Sequence, residues 1–260
     1  MALNLPATFT YEKKGRIALM TINRPDAYNS FTREMLVGMD AAFDDFNADP
    51  NLWVAVITGA GNKAFCTGMD IKDALPAIAA GDQMGYEDPA KRPFQNIFKP
   101  IIAAVNGFCI AGGLEFLQGM DIRIAAENAQ FGLGEVKWGM IPAGGSHIRL
   151  PRAVPWNMAM ELVLTGRPIS AQRAYEVGLV NRLVDTPEQA FEEAMKLAEV
   201  VAENAPLAVQ TAKEIMVRAA DMEPGFVLEN ALFQKVSKSE DAQEGPRAYK
   251  ERRKPVFTGR

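Results

Sequence analysis

The sequence predicts an α/β protein whose sheet-forming first part is followed by a helical region, and three observations carry that prediction. Short apolar runs alternate with segments of helical periodicity up to about residue 150. Beyond that point the signals are helical. No internal repeat, low-complexity tract or flexible linker separates the two parts, so they are expected to pack as one body. At 260 residues the chain is long enough for a sizeable core.

The elements follow in order. "RIALMTIN", Arg16 to Asn23, reads as a strand stopped by Arg24-Pro25. Phe31, Met35, Leu36, Met39, Ala42, Phe43 and Phe46 then recur at helical spacing, and "WVAVITG" supplies the next strand. "PIIAAVNGFCI" and "DIRIAAENAQFG" are further strand candidates, separated by the helical "LEFLQGM", so crossover helices on a sheet are expected. Ser170 is the predicted cap of the helix in "ISAQRAYEVGL". Thr186, Pro187 and Gln189 spell the cap, first turn and capping box of a longer one. "LAVQTAKEIMVRAA" adds another amphipathic helix before a basic tail.

Composition narrows the function. A 48% hydrophobic, 23% charged chain of net charge −4 has an ordinary soluble composition, and neither nucleic acid nor a membrane surface is expected as a partner. No apolar run approaches the roughly 18 residues that span a bilayer, and no leader pattern opens the chain, which reads as cytoplasmic. Two cysteines, Cys66 and Cys109, and the single His147 provide neither a disulfide framework nor the usual zinc ligand set. No metal or redox cofactor is expected.

Glycines cluster where strands end: Gly59 and Gly61, Gly68 in "FCTGMD", Gly112-Gly113, and Gly144-Gly145. Such positions let main-chain N–H groups approach a ligand, and a helix opening there favours negative charge. A helix beginning near Gly113 would aim free N–H groups at an oxyanion. Glu115 in "NGFCIAGGLEFLQGMD" and Glu135 in "FGLGEVKWGMIPAGG" place carboxylates inside apolar, glycine-bounded runs, where a carboxylate needs a partner or a raised pKa. Two carboxylates flanking an anion-stabilising turn are a general acid/base set.

"NKAFCTGMDIKD", then "VNGFCIAGGLEF", then "FGLGEVKWGMIPAGGSHIRLPRAV", in that order and spacing, resemble the enoyl-CoA hydratase/isomerase (crotonase) family over nearly the whole chain. The resemblance implies a spiral of βα units forming two roughly perpendicular sheets over residues 1–195. It also implies a C-terminal helical assembly region over 196–260, and homotrimers usually paired into hexamers. The implied substrate is an acyl-CoA thioester, with coenzyme A as part of the substrate rather than a cofactor. Its carbonyl would sit in an oxyanion hole made by the N–H groups of Met69 and Gly112, each donor supplying roughly 3–4 kcal/mol to the transition state. The family often has Ala where this chain has Met69.

The family's two hydratase carboxylates match Glu115 and Glu135, and relatives with other reactions often lack one. Retaining both favours adding water across a 2,3-double bond over isomerisation; the alternative reading is an isomerase or other enolate chemistry on an acyl-CoA, including a carnitinyl-CoA dehydratase-like reaction. Ala27 and Tyr28 in "RPDAYNS", Asp70, Ile71 and Lys72 in "MDIK", and Gly113 match substrate-lining segments. Lys254 and Phe257 match a tail that approaches the CoA phosphates and adenine. Acyl specificity is expected in residues 74–95.

Three other readings compete. Gly59-x-Gly61-x-x-Ala64 after "VAVITG" mimics a dinucleotide fingerprint, which requires a helix opening at the second glycine. Ser146-His147 suggests a serine hydrolase, with no Asp placed to orient the ring. Arg247, Lys250, Arg252, Arg253 and Lys254 suggest a nucleic-acid-binding tail, although such a run is more often a solvated face.

Overall fold

The computed structural model describes residues 3–72, 90 and 92–259. Two sheets form the core. The larger has six strands in the order β1 (Phe9–Lys14), β2 (Ile17–Ile22), β3 (Val54–Gly59), β5 (Ile101–Val105), β7 (Ile122–Ala126) and β10 (Arg182–Val184). Only the β1–β2 hairpin is antiparallel; the remaining neighbours run parallel. The smaller sheet orders β4 (Ala64–Cys66), β6 (Phe108–Ile110), β8 (Gln130–Gly132) and β9 (Ile169–Ser170).

Period-two alternation explains why β2, β3 and β5 read as continuous apolar runs: both of their faces are buried. Ala18, Met20, Ala55, Ile57, Ile101 and Ala103 face the main core. Ile17, Leu19, Val54, Val56, Ile102 and Ala104 face a second one. That second face is closed by α6 (Pro187–Glu203), whose Ala190, Ala194 and Ala198, four residues apart, form a small-residue stripe on the sheet. Its capping box forms as the sequence indicates. Position 195 lies within this helix.

Helix α1 (Arg33–Ala48) starts at Thr32, whose side chain accepts from Met35 N, and buries Met35, Met39, Ala42, Phe43 and Phe46. The two long strand candidates differ from expectation in a consistent way. "PIIAAVNGFCI" divides at Asn106-Gly107 into β5 and β6, and "DIRIAAENAQFG" divides at residues 127–129 into β7 and β8. Each run therefore steps from the large sheet to the small one. Asn106 stabilises the step, donating from Nδ2 to the carbonyls of Gly59 (2.9 Å), Gly61 (2.7 Å) and Ala64 (3.1 Å). A Cβ on Gly107 would lie 2.2 Å from Lys63 O, so only glycine fits.

After β8 come α3 (Ser146–Ala153), α4 (Trp156–Thr165), α5 (Ala171–Glu176), α7 (Pro206–Ala219), α8 (Glu223–Ser237) and α9 (Glu240–Lys250). Helix α2 (Gly112–Gln118) lies earlier, between β6 and β7. Ser170 caps α5 by accepting from Arg173 N. Among the described residues no helix is long and apolar enough to cross a membrane.

Candidate active site

The site is built where β4 and β6 leave the small sheet. Ala111 takes φ 52°, ψ −128°, a conformation costly for a residue with a Cβ, and is held there by three bonds. Its N–H donates to Gly132 O (2.8 Å), while its carbonyl accepts from Leu114 N (2.9 Å) and Glu115 N (3.1 Å). This turn starts α2 and leaves the N–H of Gly112, its first residue, without a partner among the described residues.

Met69 lies beside it. A parallel bridge pairs Phe31 with Met69 through Phe31 N to Gly68 O and Asp70 N to Phe31 O, both 2.8 Å. In that pattern Met69's own N–H is left without a partner among the described residues. A Cβ on Gly112 would be 3.7 Å from Met69 N. Gly68 (φ 86°) has to be glycine twice over, for its backbone and because a Cβ would come within 2.8 Å of Gly112 N. Gly113 serves packing, since its missing Cβ would sit 2.2 Å from Cys66 O. The two main-chain N–H groups expected to hold an oxyanion therefore lie side by side.

Glu115, one turn into α2, is buried. Its Oε1 accepts from Gly144 N at 2.6 Å, and it also bonds the buried Ser146, whose Oγ is held by Gln118 Nε2 at 3.0 Å. Burial, and then the nearby Glu229 charge, push its pKa up to about 7. Glu135 opens a 3-10 turn, Glu135–Trp138, and its Oε2 is buried without a hydrogen-bond partner among the described residues. Burial, and then Glu115, raise its pKa to about 8. Two carboxyl groups feeling one another in a buried site share protons as a pair. Glu115 has donors that favour its charged form; Glu135 Oε2 has none.

Helix α9 braces the Glu135 turn. Gly245 lies so close that a Cβ would be 1.8 Å from Trp138 O, and a Cβ on Gly139 would be 2.2 Å from Asp241 O. The Trp138 and Tyr249 rings meet edge to face at 5.1 Å.

Ala27 ends a 3-10 turn, Pro25–Ala27, followed by Tyr28 and Asn29, both at positive φ. Tyr28 is half exposed beside Phe108, and its carbonyl accepts from Thr67 Oγ1. Asp70 pairs with Arg24 (2.7 Å) and accepts from Lys72 N (3.0 Å); Ile71 follows it. Arg24, Thr32, Arg33, Glu34, Asp70 and Lys72 line an open depression of about 580 Å³. Three of these are cations and two are anions, Asp70 being paired with Arg24. Lys254 and Phe257 stand exposed on a tail that folds back onto α9, with Val256 N on Glu244 and Thr258 N on Asp241. Of residues 74–95, positions 74–89 and 91 lie outside the described residues.

The competing motifs resolve structurally. After Gly61 the chain enters strand β4, so the helix that a dinucleotide fingerprint requires does not open there. His147 Nδ1 bonds Glu229 at 2.9 Å rather than Ser146. In the tail, Arg247 and Arg253 pair with Glu244. Among the described residues no group of three His, Cys, Asp or Glu is placed to hold a metal ion.

Sequence reasoning missed Asn29 and Asn106, which pin the turns behind the site, and Gly144 as donor to Glu115. Asn106-Gly107 is a turn dipeptide and was open to that reading. Glu229, inside "FVLENALF", carries no local signal.

Two sheets joined by stepping strands, with paired main-chain N–H groups beside the buried Glu115 and the half-buried Glu135, put the chain in the class of crotonase-fold proteins. It belongs to the enoyl-CoA hydratase/isomerase family, whose model, described as Enoyl-CoA hydratase/isomerase, matches residues 12–260. It is 41% identical to enoyl-CoA hydratase EchA19 of Mycobacterium tuberculosis, over 96% of each chain. It is 40% identical to (E)-benzylidenesuccinyl-CoA hydratase of Thauera aromatica, over 96% of this chain and 98% of that one. The crystal structure of carnitinyl-CoA hydratase from Mycobacterium avium superposes with a TM-score of 0.87 at 38% identity, covering 98% of this chain and all of the other.

Proposed function

We propose that the chain is an enoyl-CoA hydratase that adds water across the 2,3-double bond of an acyl-CoA thioester. The observation that carries the reading is the buried Glu115 and the half-buried Glu135, whose Oε2 is shielded, beside the N–H groups of Met69 and Gly112 that have no partner among the described residues. Ionised Glu115 takes a proton from water as the oxygen bonds to Cβ. The electron pair of the double bond moves toward the thioester, whose oxygen becomes an enolate oxyanion between the two N–H groups. Protonated Glu135 then delivers its proton to Cα. Dehydration of a 3-hydroxyacyl-CoA is the same path reversed, so a relative named for either direction fits this geometry.

The depression lined by Arg24, Arg33 and Lys72 suits the CoA phosphates, with Ala27, Tyr28, Asp70 and Ile71 along the channel and Lys254 and Phe257 reaching it in an assembled trimer or hexamer. Exposed apolar side chains on α7 and α8, among them Leu207, Ile215, Met216, Leu228 and Leu232, support such an assembly, and the composition supports a cytoplasmic setting. No cofactor enters the scheme.

The test is loss of the conjugated enoyl-thioester absorbance on short, long, branched and aromatic 2-enoyl-CoAs, with Glu115→Gln and Glu135→Gln beside the native chain. Turnover lost in both variants supports hydration. Binding without turnover of any 2-enoyl ester, with 3-enoyl esters converted instead, would establish the isomerase reading.

A further inference from the structure

We propose that Glu229, on helix α8 of the C-terminal region, is a positioning residue for Glu115: it grips the Gly144–His147 turn from behind and sets its charge against the carboxylate that the turn holds in front. The side chain is 1% exposed. Its Oε1 accepts the main-chain N–H of His147 (3.2 Å) and His147 Nδ1 (2.9 Å). Because a carboxylate only accepts, this bond puts the ring proton on Nδ1. Its Oε2 accepts Nε (3.2 Å) and Nη2 (3.1 Å) of Arg92.

The need for this acceptor follows from the start of α3. Gly145 is its N-cap and offers no side chain, so the first N–H groups of the helix lack a local cap. Glu229 caps His147 from another helix. Three residues earlier, Gly144 points its own N–H the other way, to Glu115. One short turn thus joins two carboxylates, and moving it moves the donor that orients the base. A hydrophobic pair replacing Arg92 and Glu229 would fill the same space, but neither partner could accept the His147 N–H.

Glu229 faces Arg92 and His147; Glu115 faces Glu229, His147 and, on its other side, Glu135; Arg149 lies over the Phe226 ring nearby. The Glu229 charge favours the protonated form of Glu115.

The inference rests on the hydratase reading only in naming Glu115 the base, and its test needs no substrate. Carboxyl 13C titration of the ligand-free protein, with the Glu115 signal assigned by its loss in Glu115→Gln, reads the charge. Amide hydrogen exchange at Gly144 and His147 reads the grip. In Glu229→Gln the Glu115 midpoint is expected to fall by roughly one pH unit. Glu229→Leu speeds both amides, and the Gln variant, which keeps an acceptor, restores slow exchange. Should Glu229→Leu fail to fold, Arg92→Met/Glu229→Leu removes the stranded cation as well. A midpoint unmoved by Glu229→Gln, or amides as slow in the Leu variants as in the native chain, overturns the proposal. A protein inert on every enoyl-CoA would instead overturn the functional reading alone.

Discussion

Gly144 donates its main-chain N–H to Glu115 Oε1 at 2.6 Å, and a Cβ at position 144 would lie 2.9 Å from the Cβ of Glu115. The donor that orients the carboxylate and the space the carboxylate occupies come from the same glycine. Gly144→Ala is therefore expected to lower kcat by about 10²-fold, the cost of displacing a reacting group by about 1 Å. A far-UV spectrum matching the native chain separates this from unfolding.

On the proposed hydratase reading, removing either carboxyl acts on the chemistry itself. Glu115→Gln and Glu135→Gln should each lower kcat on a 2-enoyl-CoA by roughly 10²–10⁴-fold, the usual contribution of one general acid or base. Near-native Kd values for the CoA ester, measured by calorimetry, would show that binding survives. If both variants turned over at the native rate, the pair would have no part in the reaction.

The proposed oxyanion hole gives opposite expectations for two neighbouring residues. Gly68→Ala drives a Cβ to 2.8 Å from Gly112 N at a positive φ, and should cost about 10²-fold or more in kcat. Met69→Ala leaves the main-chain donor in place and should keep kcat within the same order of magnitude. Equal losses in the two variants would shift the role to the Met69 side chain.

The carboxyl pair also makes stability depend on pH. Both pKa values are raised in the folded chain, to about 7 and about 8, above the ordinary 4.5. The folded state therefore holds more protons than the unfolded state between about pH 4.5 and 8, and stability falls as pH rises through that window. Glu115→Gln/Glu135→Gln lacks this loss. Its Tm advantage over the native chain should grow from pH 5 to pH 8, each kcal/mol being worth about 2–4 °C at this size. A constant difference across the range would mean that the pair titrates normally.

At the depression proposed to hold the CoA phosphates, Lys72→Ala is expected to raise KM roughly two- to fivefold at unchanged kcat, the scale of one exposed ion pair. The difference should shrink with added salt. Steady-state kinetics at two ionic strengths measures both.

Legibility in the sequence followed the range of the interaction. The helix of Arg33–Ala48 and the capping box of Thr186 and Gln189 depend on residues three or four apart, and their patterns were readable directly. The breaks at Asn106-Gly107 and at residues 127–129 were not read, because apolar runs continue through them. What breaks the strands is a change of sheet, a tertiary event. At the site, the glycines and glutamates stood out as costly residues in apolar runs. Glu229 did not, because its partners Arg92 and His147 are 137 and 82 positions away.

The close seat of Gly245 on Trp138 O has a bearing on when the molecule becomes competent. The turn carrying Glu135 is synthesised well before helix α9, its brace. A ribosome-bound chain can complete both sheets and still lack the buttress behind one of its two carboxyls. A chain cut before Ser239 would retain every strand of both sheets and leave the Glu135 turn without its contacts to α9.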